Sequence, residues 1–379
     1  VTMGIYWIIS LSLTFVALVE VMLSKNENTA QIRSYVYFVA VVVLFTFGGI
    51  RGLGTGLDDF QYRDFFVHFV DKITIEGFWR TADEFRYEPA IYAIAGLTRI
   101  FTANPDIFMY VFTVIAVCVN AWYFRKLTPL PIVALAVYSA HLFINKDMNQ
   151  IRFGLCSAFL MGFVYHMSRR SKSGMITTFI LSFISHATGI VALLIPMAMI
   201  VRKNKYIPII IVVASLPLAF MGSSALIALL SSHLGGLGDR AMGYANQEST
   251  QDQGIFTLSN LKNIGFVFIF SFMLLSDRIK NFDPVKFNTY YILVITFALG
   301  AGLRMALQDY ASGGRLANFL LQVEPVLISL CIWETKKLKK LLAVGVTVLM
   351  VLYYLYYNTI SSKQSITGYE VSHTFKIFR

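Results

Sequence analysis

The feature that most constrains this chain is a succession of apolar runs, among them 35–50, 207–230 and 341–357. Each is about as long as a helix that crosses a hydrocarbon core roughly 30 Å thick. In lipid, backbone N–H and C=O groups find partners only within the segment, so such runs fold as helices. Composition agrees: 56% of the 379 residues are hydrophobic and 14% are charged, against about 25% charged in soluble domains. A soluble enzyme, a secreted disulfide scaffold, a disordered chain and an outer-membrane barrel are excluded. The expected fold is all-α, a polytopic inner-membrane helical bundle forming one integral membrane domain over 1–379.

Ten full spans are expected, at 5–23, 34–50, 106–124, 129–144, 149–167, 206–230, 259–276, 288–310, 315–333 and 341–357. Basic clusters separate several of them: Lys25/Arg33, Arg125/Lys126, Arg169/Arg170/Lys172, Arg202/Lys203/Lys205, Arg278/Lys280/Lys286 and Lys336/Lys337/Lys339/Lys340. These hold 17 of the 32 basic residues, and the positive-inside rule puts them in the cytoplasm. Segment 51–88 carries eight acids and five bases, and 231–258 three acids and one base. Both are expected as periplasmic loops. Within the first, 60–78 reads as an amphipathic helix lying on the membrane surface. Parity of crossings leaves two partial elements: 89–101, short and carrying Arg99, and 175–201, broken at Ser185-His186-Ala187-Thr188-Gly189.

Net charge is +11, but it is dispersed as topology signals rather than gathered on a face, so no nucleic-acid partner is expected. Cys118, Cys156 and Cys331 lie inside apolar runs with no paired spacing and read as small core residues. No H-E-x-x-H, C-x-x-C or G-x-S-x-G occurs, and neither a metal nor a cofactor is expected.

Ionisable groups at membrane depth mark function by default. Arg51, Arg152, Arg240, Arg304 and Arg315 all fall toward the outer side, where the rule predicts few. A guanidinium binds phosphate or carboxylate oxygens in pairs, so the set predicts an anion site. Its structural alternative is snorkelling, or ion pairs with Asp58, Asp59 or Glu88. The string from Arg51 to Asp59 carries three spaced glycines that let backbone approach a ligand. Asp58 and Asp59 are candidate bases or sugar-hydroxyl acceptors, or caps of the helix that follows. His186 is the only histidine expected at a helix break. It reads as a catalytic or substrate-binding group, with a satisfied core histidine as the structural alternative; a general base is one such role, and Asp58, Asp59 or Glu88 is the base otherwise.

Several of these residues stand in a recognisable succession: Arg51, Gly54-Thr55-Gly56-Leu57-Asp58, Tyr62, Tyr87-Glu88-Pro89, Asn149-Gln150-Ile151-Arg152, Ser185-His186-Ala187-Thr188-Gly189 and Gly314-Arg315-Leu316. The order and membrane spacing resemble the EpsG-like family, polysaccharide polymerases of the Wzy type. Family members commonly read Gly-Thr-Asp where this chain has Leu57 and a second aspartate, so either Asp58 or Asp59 is the counterpart. The resemblance implies polymerisation of undecaprenyl-pyrophosphate-linked oligosaccharide repeat units at the periplasmic face of a bacterial inner membrane. O-antigen, capsule or exopolysaccharide would be the product. It also implies membrane lipid, a chain-length regulator and a flippase as partners, and Tyr62 among the substrate-binding residues. An O-antigen ligase-like glycosyltransferase shares this chemistry. A secondary transporter also uses a broken helix, but normally shows internal repeats and midplane charge.

Overall fold

The computed structural model describes residues 3–200, 204–222, 254–276, 279, 283–308, 313–361 and 366–376. Its longer elements are all helical: α1 (Gly4–Leu23), α2 (Ala30–Gly49), α3 (Asp59–Glu76), α4 (Phe78–Phe85), α5 (Pro89–Phe101), α6 (Pro105–Leu127), α7 (Pro131–Ala140) and α8 (Ile151–Ser168). There follow α9 (Lys172–Ser185), α10 (Leu194–Ile200), α11 (Ile207–Met221), α12 (Leu258–Leu275), α13 (Pro284–Ala306), α14 (Gly313–Leu320), α15 (Glu324–Glu334) and α16 (Lys337–Thr359). Among the described residues extended pairing is confined to two isolated antiparallel bridges, Arg51 with Val371 and Gly56 with Ile366.

Helix starts follow local chemistry. Proline occupies the first turn of α5, α6, α7, α11 and α13, where its missing N–H costs nothing. Asn104, Thr257 and Asp283 accept backbone N–H bonds as N-caps of α6, α12 and α13, satisfying first-turn donors that have no partner within the helix.

Seven helical stretches among the described residues are long and apolar enough to cross a membrane: α1, α2, α6, α12, α13, α14 continued through a short 3-10 turn into α15, and α16. Their polarity is inverted relative to a soluble bundle. Helix α1 buries Ser10, Thr14 and Glu20 while Ile8, Phe15 and Met22 are exposed. That arrangement is stable only where the surroundings are apolar. The chain is a multi-pass helical membrane protein.

Its residues form two compact units. The first comprises Val1–Gly162, Thr177–Ala187 and Ile328–Arg379, and the second Phe163–Ile176 and Thr188–Leu327. In the first, α1 packs on α7 and α16, α2 on α6, and α3 and α5 on α6. In the second, α13 is the central helix, nearly buried, with α11, α12 and α14 around it.

Several expectations change. Segment 129–144 is not one helix: α7 stops at Ala140, and a single π-helical turn, Phe143–Asp147, follows. Ten helical residues rise only about 15 Å, half a bilayer core. His141 therefore also sits at a helix break, its ring stacked 4.2 Å from that of Tyr354, so His186 is not alone in that position. Helix α3 covers its apolar face with protein, burying Phe65, Phe66 and Phe69 against Tyr92, Phe108 and Phe112. Of the cysteines only Cys156 is buried; Cys331 is half-buried and Cys118 exposed. Beyond Gly222, the remainder of span 206–230 and the loop to residue 253, Arg240 included, lie outside the described residues.

Candidate functional site

In the first unit, the loop between α2 and α3 closes on itself. Arg51 donates from Nη2 and Nε to Asp59 Oδ1 at 3.0 and 3.2 Å, and from Nη1 to the Gly48 carbonyl at 2.6 Å and the Thr113 hydroxyl at 3.2 Å. Asp59 Oδ2 accepts the Gly56 N–H at 2.8 Å. Both side chains are 0% exposed. Two features make the turn possible. Gly54 adopts a φ of +87°, and a Cβ at Gly56 would stand 2.2 Å from the Met148 carbonyl oxygen.

The segment after α16 straps this loop. Gly52 N–H donates to the Glu370 carbonyl at 2.6 Å, Thr367 N–H to that of Thr55 at 2.9 Å, and Ser372 N–H to that of Ile50 at 2.9 Å. The Tyr369 hydroxyl donates to the Phe47 carbonyl at 2.8 Å, with the two rings stacked at 4.5 Å. Nothing in the composition of 366–376 announces this role.

A second constellation is more open. Arg152, near the start of α8, forms an ion pair with Glu88 through Nη1. Its guanidinium carbon lies 4.2 Å from the centre of the Tyr87 ring and 5.8 Å from that of Tyr62, a cation–π arrangement on both. The Tyr62 hydroxyl also accepts a hydrogen bond from Arg152, and burial pushes that hydroxyl's pKa up to about 12 against the lowering effect of the cation. Glu88 uses its other oxygen to accept the Ala187 N–H at 3.1 Å. This ties the arginine to the point where α9 ends. His186 occupies that end, its ring 5.7 Å from Phe153 and edge-on at 72°, and its carbonyl accepts the Cys156 thiol at 3.6 Å. Asp58 is half-buried, with its N–H donating to Asn149 Oδ1 at 3.2 Å.

Tyr62, Tyr87, Glu88, Arg152 and the His186 break thus converge from four separated stretches of sequence. Both ionised partners keep partial exposure, 18% and 19%, so an anion could exchange with Glu88 for the guanidinium. Arg304 and Arg315 belong to the second unit. Arg304 donates to Asn318 Oδ1 at 3.1 Å, and Arg315 is exposed.

Sequence reasoning overlooked the charges inside apolar runs that the fold buries. Glu20 accepts the Ile132 and Val133 N–H groups at 3.2 and 3.0 Å, capping α7 from α1. Lys146 and Asp147 fill the π turn; the Tyr138 hydroxyl donates to Asp147 at 2.6 Å, and Lys146 Nζ to Ser157 at 3.2 Å. Lys262 is ion-paired to Glu324 at 3.0 Å in the second unit. For Glu20, Lys262 and Glu324 the signal was an acid or base within a predicted span, whereas Lys146 and Asp147 fall between the spans expected at 129–144 and 149–167.

A polytopic helical membrane protein with a semi-buried arginine–carboxylate pair beside a histidine at a helix break is the class that fold and site define. The chain belongs to the EpsG family, whose sequence model matches residues 34–371. It is similar to the amylovoran biosynthesis protein AmsC of Erwinia amylovora, 36% identical over 380 residues, covering 99% of this chain and 100% of that protein. No solved structure matches it.

Proposed function

We propose that this protein polymerises undecaprenyl-pyrophosphate-linked oligosaccharide repeat units into a surface polysaccharide, at the periplasmic face of a bacterial inner membrane. The acceptor hydroxyl of an incoming repeat unit attacks the anomeric carbon of the growing chain. That carbon's bond to the pyrophosphate oxygen breaks, undecaprenyl pyrophosphate leaves with the electron pair, and the acceptor proton passes to a base. Family membership and the relative named for amylovoran biosynthesis support the polysaccharide reading.

The observation that carries the site is the tie from Arg152 through Glu88 to Ala187. It sets a cation suited to developing pyrophosphate charge beside the one break that presents His186. In this reading Arg152 meets the pyrophosphate, releasing Glu88. His186 takes the acceptor proton, and Glu88 or Asp58 is the alternative base. Tyr62 and Tyr87 orient the guanidinium. Arg51 and Asp59 shape the glycine loop. Undecaprenyl pyrophosphate is a good leaving group, and no step asks for a metal. Flippase and chain-length regulator proteins are the expected neighbours in the membrane.

Purified protein in detergent, supplied with lipid-linked repeat unit, tests the reading. Arg152→Lys keeps the charge but loses the paired donors, and polymerisation should fall at least about a hundredfold with folding intact. Full activity would remove Arg152 from the site. In cells, loss of a polymerase leaves single repeat units on the surface carrier, whereas loss of a ligase leaves none attached. Sidedness is tested separately. A cysteine at the exposed Leu57 should react with an impermeant thiol reagent from outside, and one at Lys339 should not.

A further inference from the structure

The second unit carries a polar end of its own. Helices α12 and α13 run antiparallel, as the Tyr290 hydroxyl donating to the Phe270 carbonyl at 3.4 Å and the 6.2 Å approach of Phe266 and Phe297 show. Helix α14 returns along α13, with a Cβ at Gly300 meeting Leu321 and the Ala317 carbonyl. Gln308, just past α13, donates to the Ala219 carbonyl near the end of α11 at 3.3 Å. One end of this unit therefore gathers the first turns of α12, the last turn of α13, the end of α11 and the whole of α14. Lys205 and Lys286 lie toward the other end, where the Tyr291 hydroxyl donates to the Asn204 carbonyl at 3.1 Å.

That gathered end is unusually polar for a membrane-embedded bundle. Lys262 Nζ donates to both carboxylate oxygens of Glu324 at 3.0 Å. Arg304 donates to Asn318, and Arg315 is exposed. Among the described residues, three amide oxygens, Asn260 Oδ1, Asn263 Oδ1 and Gln308 Oε1, are buried with no hydrogen-bond partner. Asn260 and Asn263 are 3% and 2% exposed, and at i, i+3 they share a face of α12. A buried acceptor left unpaired is costly, and structures retain such groups where something else supplies the donor. Nearby lysine and arginine charges disfavour a metal ion. Neutral O–H donors suit the amide oxygens.

We propose that this end of the second unit is a saccharide-binding site, its orphan amide oxygens accepting hydroxyls of an oligosaccharide repeat unit while Lys262 and Arg304 donate to sugar oxygens. The inference rests on the polymerase reading for its ligand class. It assigns the sugar, rather than the pyrophosphate, to these residues.

The test separates binding from stability. Oligosaccharides released by partial acid hydrolysis of the source cell's surface polysaccharide serve as a lipid-free probe, titrated onto the full-length protein in detergent. Asn263→Leu replaces an unpaired buried acceptor with an apolar group of similar shape. The thermal midpoint should hold or rise while saccharide affinity falls roughly tenfold, the equivalent of one lost hydrogen bond to a ligand. Gln308→Leu should weaken binding similarly; because it also removes the Nε2 donation to the Ala219 carbonyl, only its affinity is read, and the stability criterion applies to Asn263→Leu. Arg152→Lys, inactive in polymerisation, should bind the probe as wild type does. Unchanged affinity in both leucine variants would overturn the proposal, as would failure of wild type to bind the probe. So would loss of binding accompanied by loss of stability, which marks a packing role. Loss of probe binding in Arg152→Lys would move the sugar to the first unit and overturn the assignment. None of these outcomes decides whether wild type polymerises, which the lipid-linked assay reads independently.

Discussion

Two arginine–carboxylate pairs in the first unit use the same chemistry in opposite ways. Arg51 and Asp59 are both 0% exposed and are held by the Gly48 carbonyl, the Thr113 hydroxyl and the Gly56 N–H. Arg152 and Glu88 are 18% and 19% exposed, roofed by Tyr62 and Tyr87 and leading to a helix break. A fully enclosed pair repays its desolvation only while both partners remain. It is therefore a fastener. A pair with an open side can trade its carboxylate for a ligand anion, which is how an arginine site is kept ordered between turnovers. The expected position of both arginines toward the outer side does not separate the two cases; enclosure does.

The comparison can be broken from either side. The largest expected effect is on stability. Arg51→Met strands the Asp59 carboxylate in a closed interior and should destabilise the fold by about 3–5 kcal/mol, seen as loss of the monodisperse, folded species in detergent. An Arg51→Met protein as stable as wild type but inactive would make Arg51 a substrate ligand after all. Next comes His186→Gln, which keeps hydrogen bonding and removes useful basicity. Polymerisation should slow by about a hundredfold with an unchanged thermal midpoint. A mild defect would pass the base role to Glu88 or Asp58, and an unfolded variant would make the histidine a packing residue of the break. The smallest effect is at the strap. Tyr369→Phe removes one hydrogen bond to the Phe47 carbonyl and should cost about 1 kcal/mol. Because Tyr369 serves the enclosed pair and not the open one, its loss should lower stability before activity.

Much of the architecture was legible in the chain. Apolar run length marks α1, α2, α6, α12, α13 and α16, because a helix in lipid must satisfy its own backbone. Proline and Asn or Asp at the starts of α6 and α13 place their first turns. The interruption at His186 was visible as Ser-His-Ala-Thr-Gly within an apolar run, and α9 does end at Ser185. The break at His141 was not visible. The stretch before it, 131–140, is as apolar as any span, and the break is held by a distant residue, Asn358, which donates to the Ala140 carbonyl at 2.9 Å and accepts from Asn145 in the π turn at 3.1 Å. Helix α3 looked amphipathic, which is equally true of a helix on lipid and one on protein. Its aromatic partners Tyr92, Phe108 and Phe112 lie in two other helices.

What the sequence determined by itself is the class of solvent this chain requires, the approximate positions of its helices and the residue types available for binding an anion. Those follow from local quantities: run length, charge placement and the identity of residues at helix ends. Only the tertiary structure decided which arginine is a fastener and which is open. Enclosure of Arg51 depends on Thr113 in α6, and its loop is held by the strap at 366–376, more than three hundred residues away in the chain. Exposure of Arg152 depends on where Tyr62, Tyr87 and Glu88 come to rest beside α8. Burial is a property of three-dimensional neighbours, and the strength of a charge pair depends on burial more than on the two residues that form it.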